Sequence, residues 1–202
     1  MTFKKPTRTG TFLTQKLDET FLTKHLFYAE RLNNALSFIL VTKEQKMASY
    51  IGGCSCGQVR FQLRSKPMFT HACHCHLCQQ STGSAFILHS LIEGDLFELI
   101  SGKLADFEGP SGSGRRHIVK RCSQCGDPIV SYFGETEHVA VVKTGALDDP
   151  NTFPPEAHIF VNTKLSWIKL TDKMPQFEGF YDFEATWSPD SYSRLVAARS
   201  KS

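Results

Sequence analysis

Seven cysteines occur in the 202-residue chain, and every one falls between positions 54 and 125. They form three groups: Gly53-Cys54-Ser55-Cys56-Gly57, Cys73-His74-Cys75-His76-Leu77-Cys78, and Cys122-Ser123-Gln124-Cys125-Gly126. Thiolates two or three residues apart on a tight turn converge on one ion, and adjacent glycines let the backbone fold around it. Zinc suits all-sulfur sites of this kind; iron–sulfur is the metal runner-up, although its best-known spacings differ. A disulfide framework uses cysteines in even numbers, so complete pairing would strand one thiol here. A closed structural site takes four thiolates, two from each of two turns, and Cys54, Cys56, Cys122 and Cys125 supply that arrangement. Cys73, Cys75 and Cys78 remain, three ligands from one loop, and a metal with three protein ligands keeps an open position. The competing division has His71, His74 or His76 close the second site as a structural Cys₃His set.

The elements that must position these groups are short strands. Val59, Phe61 and Leu63 alternate with Arg60, Gln62 and Arg64, as in a half-buried strand. Further short apolar or alternating runs cover Ala85–Ile92, Leu96–Ile100, His117–Arg121, Ile129–Phe133, His138–Val142, His158–Val161 and Leu165–Leu170, separated by Gly, Pro, Asp and Ser clusters. This pattern predicts a mainly β domain. Before it, Leu22, Leu26, Ala29, Leu36 and Leu40 recur at helical spacing, so residues 1–49 read as an extension with one amphipathic helix. That extension is a helix covering the core, an organelle-targeting (mitochondrial) segment, or sequence upstream of a start at Met47; Asp18, Glu19 and Glu30 weigh against targeting. Residues 50–180 carry the cysteine domain, and 181–202 read as a tail, frayed after Trp187. No apolar run reaches the ~20 residues of a spanning helix, and no secretory signal stands at the start, so a cytoplasmic protein without membrane partners is expected. Residues 1–50 hold eight Lys/Arg and four Asp/Glu, whereas the remainder holds fifteen and sixteen. The near-neutral cysteine domain argues against a broad nucleic-acid surface.

The three cysteine motifs in this order, with Gly83-Ser84-x-Phe86, resemble the glutathione-dependent formaldehyde-activating enzyme family, which also includes centromere protein V. The resemblance continues through Thr144-Gly145-Ala146-Leu147-Asp148-Asp149-Pro150, Pro155-Glu156-Ala157-His158-Ile159-Phe160, Trp167 and Pro175-Gln176-Phe177. It implies a zinc-centred β-sheet fold of the type shared with methionine sulfoxide reductase B. It also implies two zinc ions: a structural one on Cys54, Cys56, Cys122 and Cys125, and a catalytic one on Cys73, Cys75 and Cys78. The implied activity joins glutathione to formaldehyde as S-hydroxymethylglutathione, a carbon–sulfur lyase reaction in reverse, with a small-molecule thiol and an aldehyde as partners. Two departures stand out. Gln79 and Gln80 follow the middle motif where family members often carry a basic residue, and Lys120 occupies a place where an aromatic residue is common. A lyase acting on another thiol adduct and a non-catalytic, zinc-stabilised binding module for protein or chromatin are the alternatives. A methionine sulfoxide reductase would need a redox cysteine outside the metal sites, and none remains.

Other residues divide between chemical and structural roles. His158 is a proton donor or a histidine hydrogen-bonded within the sheet. His74 and His76 flank ligands and are expected to support them or face solvent. Gly83 and Ser84 offer backbone N–H groups to a carboxylate or simply form the turn after the metal loop. Arg115, Arg116, Lys120 and Arg121 are a solvated strand face or an anion-binding run. Trp167 and Phe160 are expected in the core. There is no phosphate loop, nucleophile elbow or dinucleotide fingerprint.

Overall fold

The computed structural model describes residues 49–201, so the amphipathic helix expected within 1–49 lies outside the described residues. Ten strands among the described residues form two sheets. The smaller is antiparallel, ordered β1 (Tyr50–Gly53), β2 (Arg60–Leu63), β5 (Phe97–Ser101). The larger runs β10 (Ala157–Ile159), β3 (Phe69–Cys73), β4 (Ile87–Glu93), β9 (Val139–Lys143), β8 (Pro128–Phe133), β7 (His117–Cys122), β6 (Leu104–Glu108). Its pairs are antiparallel except that β10 runs parallel to β3. The mainly β reading therefore holds.

Alternation along the strands gives the large sheet two apolar faces. Ile92, Ala140 and Val142 point one way and join Val59, Phe61 and Leu63 of the small-sheet segment in one core cluster. Leu91 and Val141 point the other way and pack with Met68, Phe69, Tyr181, Trp187 and Leu195. The last three belong to the C-terminal region, where a short helix α2 (Phe183–Thr186) is followed by α3 (Pro189–Arg199). A frayed tail was expected beyond Trp187. Instead Ser188 caps α3 by accepting from the Ser191 N–H, and Pro189 occupies the first turn. Leu195 is completely buried, and Arg194 makes a two-point pair with Glu93 of β4, at 2.8 and 2.7 Å. The serine-rich composition that suggested fraying is cap and solvent face.

The run Leu165–Leu170 was expected to be a strand and is irregular. Phe160, at φ 55°, takes the left-handed conformation that turns the chain out of β10. Lys164 Nζ then donates to the carbonyls of Leu165 and Ile168, holding them in a turn with no partner strand. Trp167, expected in the core, is 67% exposed on this turn. The chain returns at Pro175-Gln176-Phe177. There His158 N–H donates to Pro175 O and Phe177 N–H to His158 O, covering the free edge of β10.

Candidate functional site

The first and third cysteine motifs fold as a matched pair of turns. Gly57 N–H donates to Cys54 O at 3.1 Å and Gly126 N–H to Cys122 O at 2.9 Å. Both glycines sit at positive φ, 77° and 81°, a region that costs a residue with a Cβ about 1–2 kcal/mol. The turns bring Cys54, Cys56, Cys122 and Cys125 together, with all four Sγ atoms within 4.8 Å of one another. Cys54 lies 3.4 Å from Cys56, and Cys56 lies 3.8 Å from Cys122. A tetrahedron with ~2.3 Å zinc–sulfur bonds has edges of about 3.8 Å, whereas a disulfide needs ~2.05 Å. The spacing fits a shared ion. Backbone N–H groups point at the sulfurs: Val59 to Cys54 at 3.2 Å, Gln124 to Cys122 at 3.4 Å. Burial pushes the Cys54 thiol up, but the Val59 N–H and the neighbouring thiols outweigh it and bring it down to about 6. Asp127 joins the two turns by accepting from Ser55 N–H at 2.7 Å.

The middle motif crosses from the end of β3 into α1 (His76–Thr82), which Cys75 caps by accepting from the Cys78 N–H. Cys73, Cys75 and Cys78 form the second set within 4.8 Å, and Cys73 and Cys78 stand 3.5 Å apart. Among the described residues no histidine nitrogen joins either set. His71, His74 and His76 therefore do not complete a Cys₃His site, and the four-plus-three grouping is the one the fold assembles. Hydrogen bonds from Cys73 and Cys78 pull the Cys75 thiol down to about 2, while the same contacts with Cys75 push Cys73 up. The trio cannot be three thiolates at neutral pH unless a cation offsets their mutual repulsion. Both donor sets are soft and sulfur-only, as zinc prefers.

His74 is fully buried rather than solvent-facing. Its Nε2 lies 3.0 Å from His158 Nδ1, and His158 Nε2 lies 3.0 Å from Asp172. The Asp172 carboxylate accepts from His158 Nε2–H, so His158 Nδ1 accepts from His74 Nε2–H. Burial, with help from His158 and Lys164, holds the His74 ring neutral, down to about 4. His158 is thus a hydrogen-bonded histidine of the sheet edge. Gln79 also turns back onto the loop, its Nε2 donating to the carbonyls of His74 and Thr163. Gly83, at φ 66°, ends α1 by donating its N–H to Gln79 O, which makes it a turn residue. The Thr144–Pro150 motif is likewise structural: Arg60 donates twice to Asp148, and Asp148 N–H donates to Ile51 O. Half of the basic run is ion-paired, Lys120 with Asp106 and Glu137, Arg116 with Glu108 and Glu135, while Arg115 and Arg121 donate to the carbonyls of Phe133 and Gly126.

A cavity of about 300 Å³ opens beside Cys78. Its walls include Gln80 from α1 and His89, His117, Arg121 and Lys143 from the large sheet. A wider cleft of about 510 Å³ borders Cys54 and Arg60 and also includes Lys143. His71, His89 and Lys143 stand directly opposite one another on β3, β4 and β9, a polar row on the face that also carries Leu91 and Val141. Tyr181 hydroxyl meets His71 Nδ1 at 2.9 Å. Sequence reasoning missed His89, Lys143, Asp172 and Tyr181. The one signal available was a polar residue at an inward position of an apolar strand.

No curated protein matches the chain. A crystal structure of a Rhodobacter sphaeroides protein is similar to it at 12% identity and a TM-score of 0.36, covering 63% of this chain and 98% of that one, which is too remote to bear on function. Residues 49–163, more than half of the chain and all three cysteine motifs, match the family described as glutathione-dependent formaldehyde-activating enzyme. The chain belongs to the glutathione-dependent formaldehyde-activating enzyme family.

Proposed function

We propose that the protein is a zinc-dependent carbon–sulfur lyase of thiol adducts, and that it forms S-hydroxymethylglutathione from glutathione and formaldehyde. The observation that carries this reading is a three-thiol set, joined by no histidine nitrogen among the described residues, at the edge of a ligand-sized cavity. In this reading Cys54, Cys56, Cys122 and Cys125 hold a structural ion, and Cys73, Cys75 and Cys78 hold the catalytic one. Bound there, zinc supplies a fourth position and Lewis acidity that favours a thiolate at neutral pH and polarises a carbonyl. The substrate sulfur attacks the aldehyde carbon, a C–S bond forms, and the thiol proton ends on the former carbonyl oxygen. The chain's own residues orient this step. Cys75 and Cys78 are fixed by α1, Gln79 and Thr163 brace the loop through the His74 carbonyl, and Ile87, Phe107 and Phe133 give the cavity an apolar wall. The other reading, a zinc-stabilised binding module, draws no support from the basic run, whose Arg116 and Lys120 are spent on acidic partners.

The test is nuclear magnetic resonance exchange between isotope-labelled formaldehyde and its glutathione adduct. Zinc-loaded protein should accelerate exchange well above the uncatalysed rate, and Cys75→Ser should abolish the acceleration. Exchange at the uncatalysed rate with fully loaded wild type would overturn the lyase reading.

A further inference from the structure

Lys143 is a buried ammonium, 8% exposed, and no ion pair among the described residues includes it. Its Nζ donates to His89 Nε2 at 3.1 Å and to Ser131 Oγ at 2.9 Å. Both partners are neutral, because burial, with Lys143 beside it, holds His89 well below its ordinary range. Two of the three ammonium protons are therefore placed, and the charge is not offset by a carboxylate. Burial brings the lysine down to about 8, while the nearby Cys78 and Cys73 thiols act to raise it and Arg121 adds to the lowering. A buried charge of this kind is costly unless a partner arrives. Lys143 lines the cavity that Cys78 borders.

A second atom in the same cavity also lacks a partner. His117 Nδ1 lies 3.2 Å from Pro110 O and donates to it, so Nε2 carries the lone pair. That Nε2 is buried and unpartnered among the described residues. Stacking on Phe133, with centroids 4.2 Å apart, fixes the ring. The cavity thus presents a cationic donor and a neutral acceptor on rigid strands, both within the walls that hold Cys78. Arg121 adds a second positive group at the wall.

We propose that this cavity is the recognition subsite of the thiol substrate, in which Lys143 Nζ holds a carboxylate and His117 Nε2 accepts an N–H of the same molecule. The inference rests on the lyase reading for the word substrate, and what it adds is the pair of side chains that holds the acid and the amide.

S-methylglutathione and its diethyl ester separate the possibilities, since neither has a free thiol and their binding does not depend on ligation by sulfur. Calorimetry on the zinc-loaded full chain should show the acid binding wild type at least tenfold more tightly than the ester. Lys143→Met should lose that tenfold for the acid and change ester binding little, with zinc content unaltered. Equal binding of acid and ester to wild type overturns the subsite without any variant. So does a Lys143→Met variant that loses both ligands alike, because Lys143 would then act on the metal-site charge or the fold. If the acid binds through Lys143 but exchange stays uncatalysed, the subsite stands and the lyase reading fails. Catalysed exchange with a Lys143-independent acid has the opposite meaning.

Discussion

Replacing Cys122 and replacing Cys75 each remove one thiol from a metal set, yet the two changes should differ sharply in stability. Cys56 and Cys122, whose sulfurs lie 3.8 Å apart, are 66 residues apart in the chain. Cys73 and Cys78, at 3.5 Å, are 5 apart. Closing the longer loop in an unfolded chain costs more by (3/2)RT times the logarithm of the length ratio, about 2 kcal/mol. The unfolded chain therefore holds an ion on the local trio roughly 50-fold better than on the distant quartet. An ion bound to the native state alone stabilises fully, whereas one that also binds the unfolded chain stabilises less. Cys122→Ser should thus lower the unfolding free energy by about 2 kcal/mol or more beyond Cys75→Ser, a large share of an ordinary domain's 5–15 kcal/mol. The assay is denaturant unfolding of both variants at fixed free zinc, with metal content measured in parallel. Each variant should lose one ion. Equal shifts in midpoint, or a Cys75→Ser variant that is the less stable, would refute the reasoning.

Three further outcomes follow from the geometry. Leu195→Ala should cost about 2–5 kcal/mol in chemical denaturation, because the side chain is fully buried against the large sheet; a loss below 0.5 kcal/mol, roughly that of a surface site, would mean the C-terminal helix does not pack. Gly126→Ala should destabilise by about 1–2 kcal/mol at φ 81°, and metal titration should show weaker binding by the four-cysteine set alone. Lys143 has a folded-state value near 8 against 10.5 unfolded. The unfolded state then binds more protons between those values, and stability rises with pH across that window. Unfolding profiles of wild type minus Lys143→Met should show that rise, and a flat difference from pH 8 to 10.5 would count against a buried ammonium.

The cysteine groups that could hold a metal were legible because ligation needs particular residue types at particular spacings, and those are visible in one dimension. The pairing of the first turn with the third followed from arithmetic on seven thiols, and the fold repeats it. Strand alternation was equally plain at Phe61 and Leu63, whose neighbours face outward. What failed was whatever depends on a partner distant in sequence. Leu165–Leu170 has strand composition but no sheet edge to join, since Phe160 turns the chain away first. The C-terminal helix looked like a polar tail because its apolar side needs only Leu195 and Ala198. Lys143 and His89 are ordinary residues in their own segments, and become a cavity wall only when β4 and β9 pair.

The position of Phe107 has a dynamic consequence. It forms part of the wall of the Cys78 cavity and sits on β6, the terminal strand of the large sheet. β6 hydrogen-bonds to one neighbour, β7, and Asp106 and Glu108 attach it there through Lys120 and Arg116. Amide protons on such a strand exchange through openings that cost less than global unfolding, whereas those of β4 and β9 wait for the whole sheet. The cavity therefore has one stiff side, which carries Lys143 and His89, and one compliant side. A ligand that fills the cavity and contacts Phe107 should tie this side down, so protection of the β6 amides should rise on binding while that of β4 and β9 changes little.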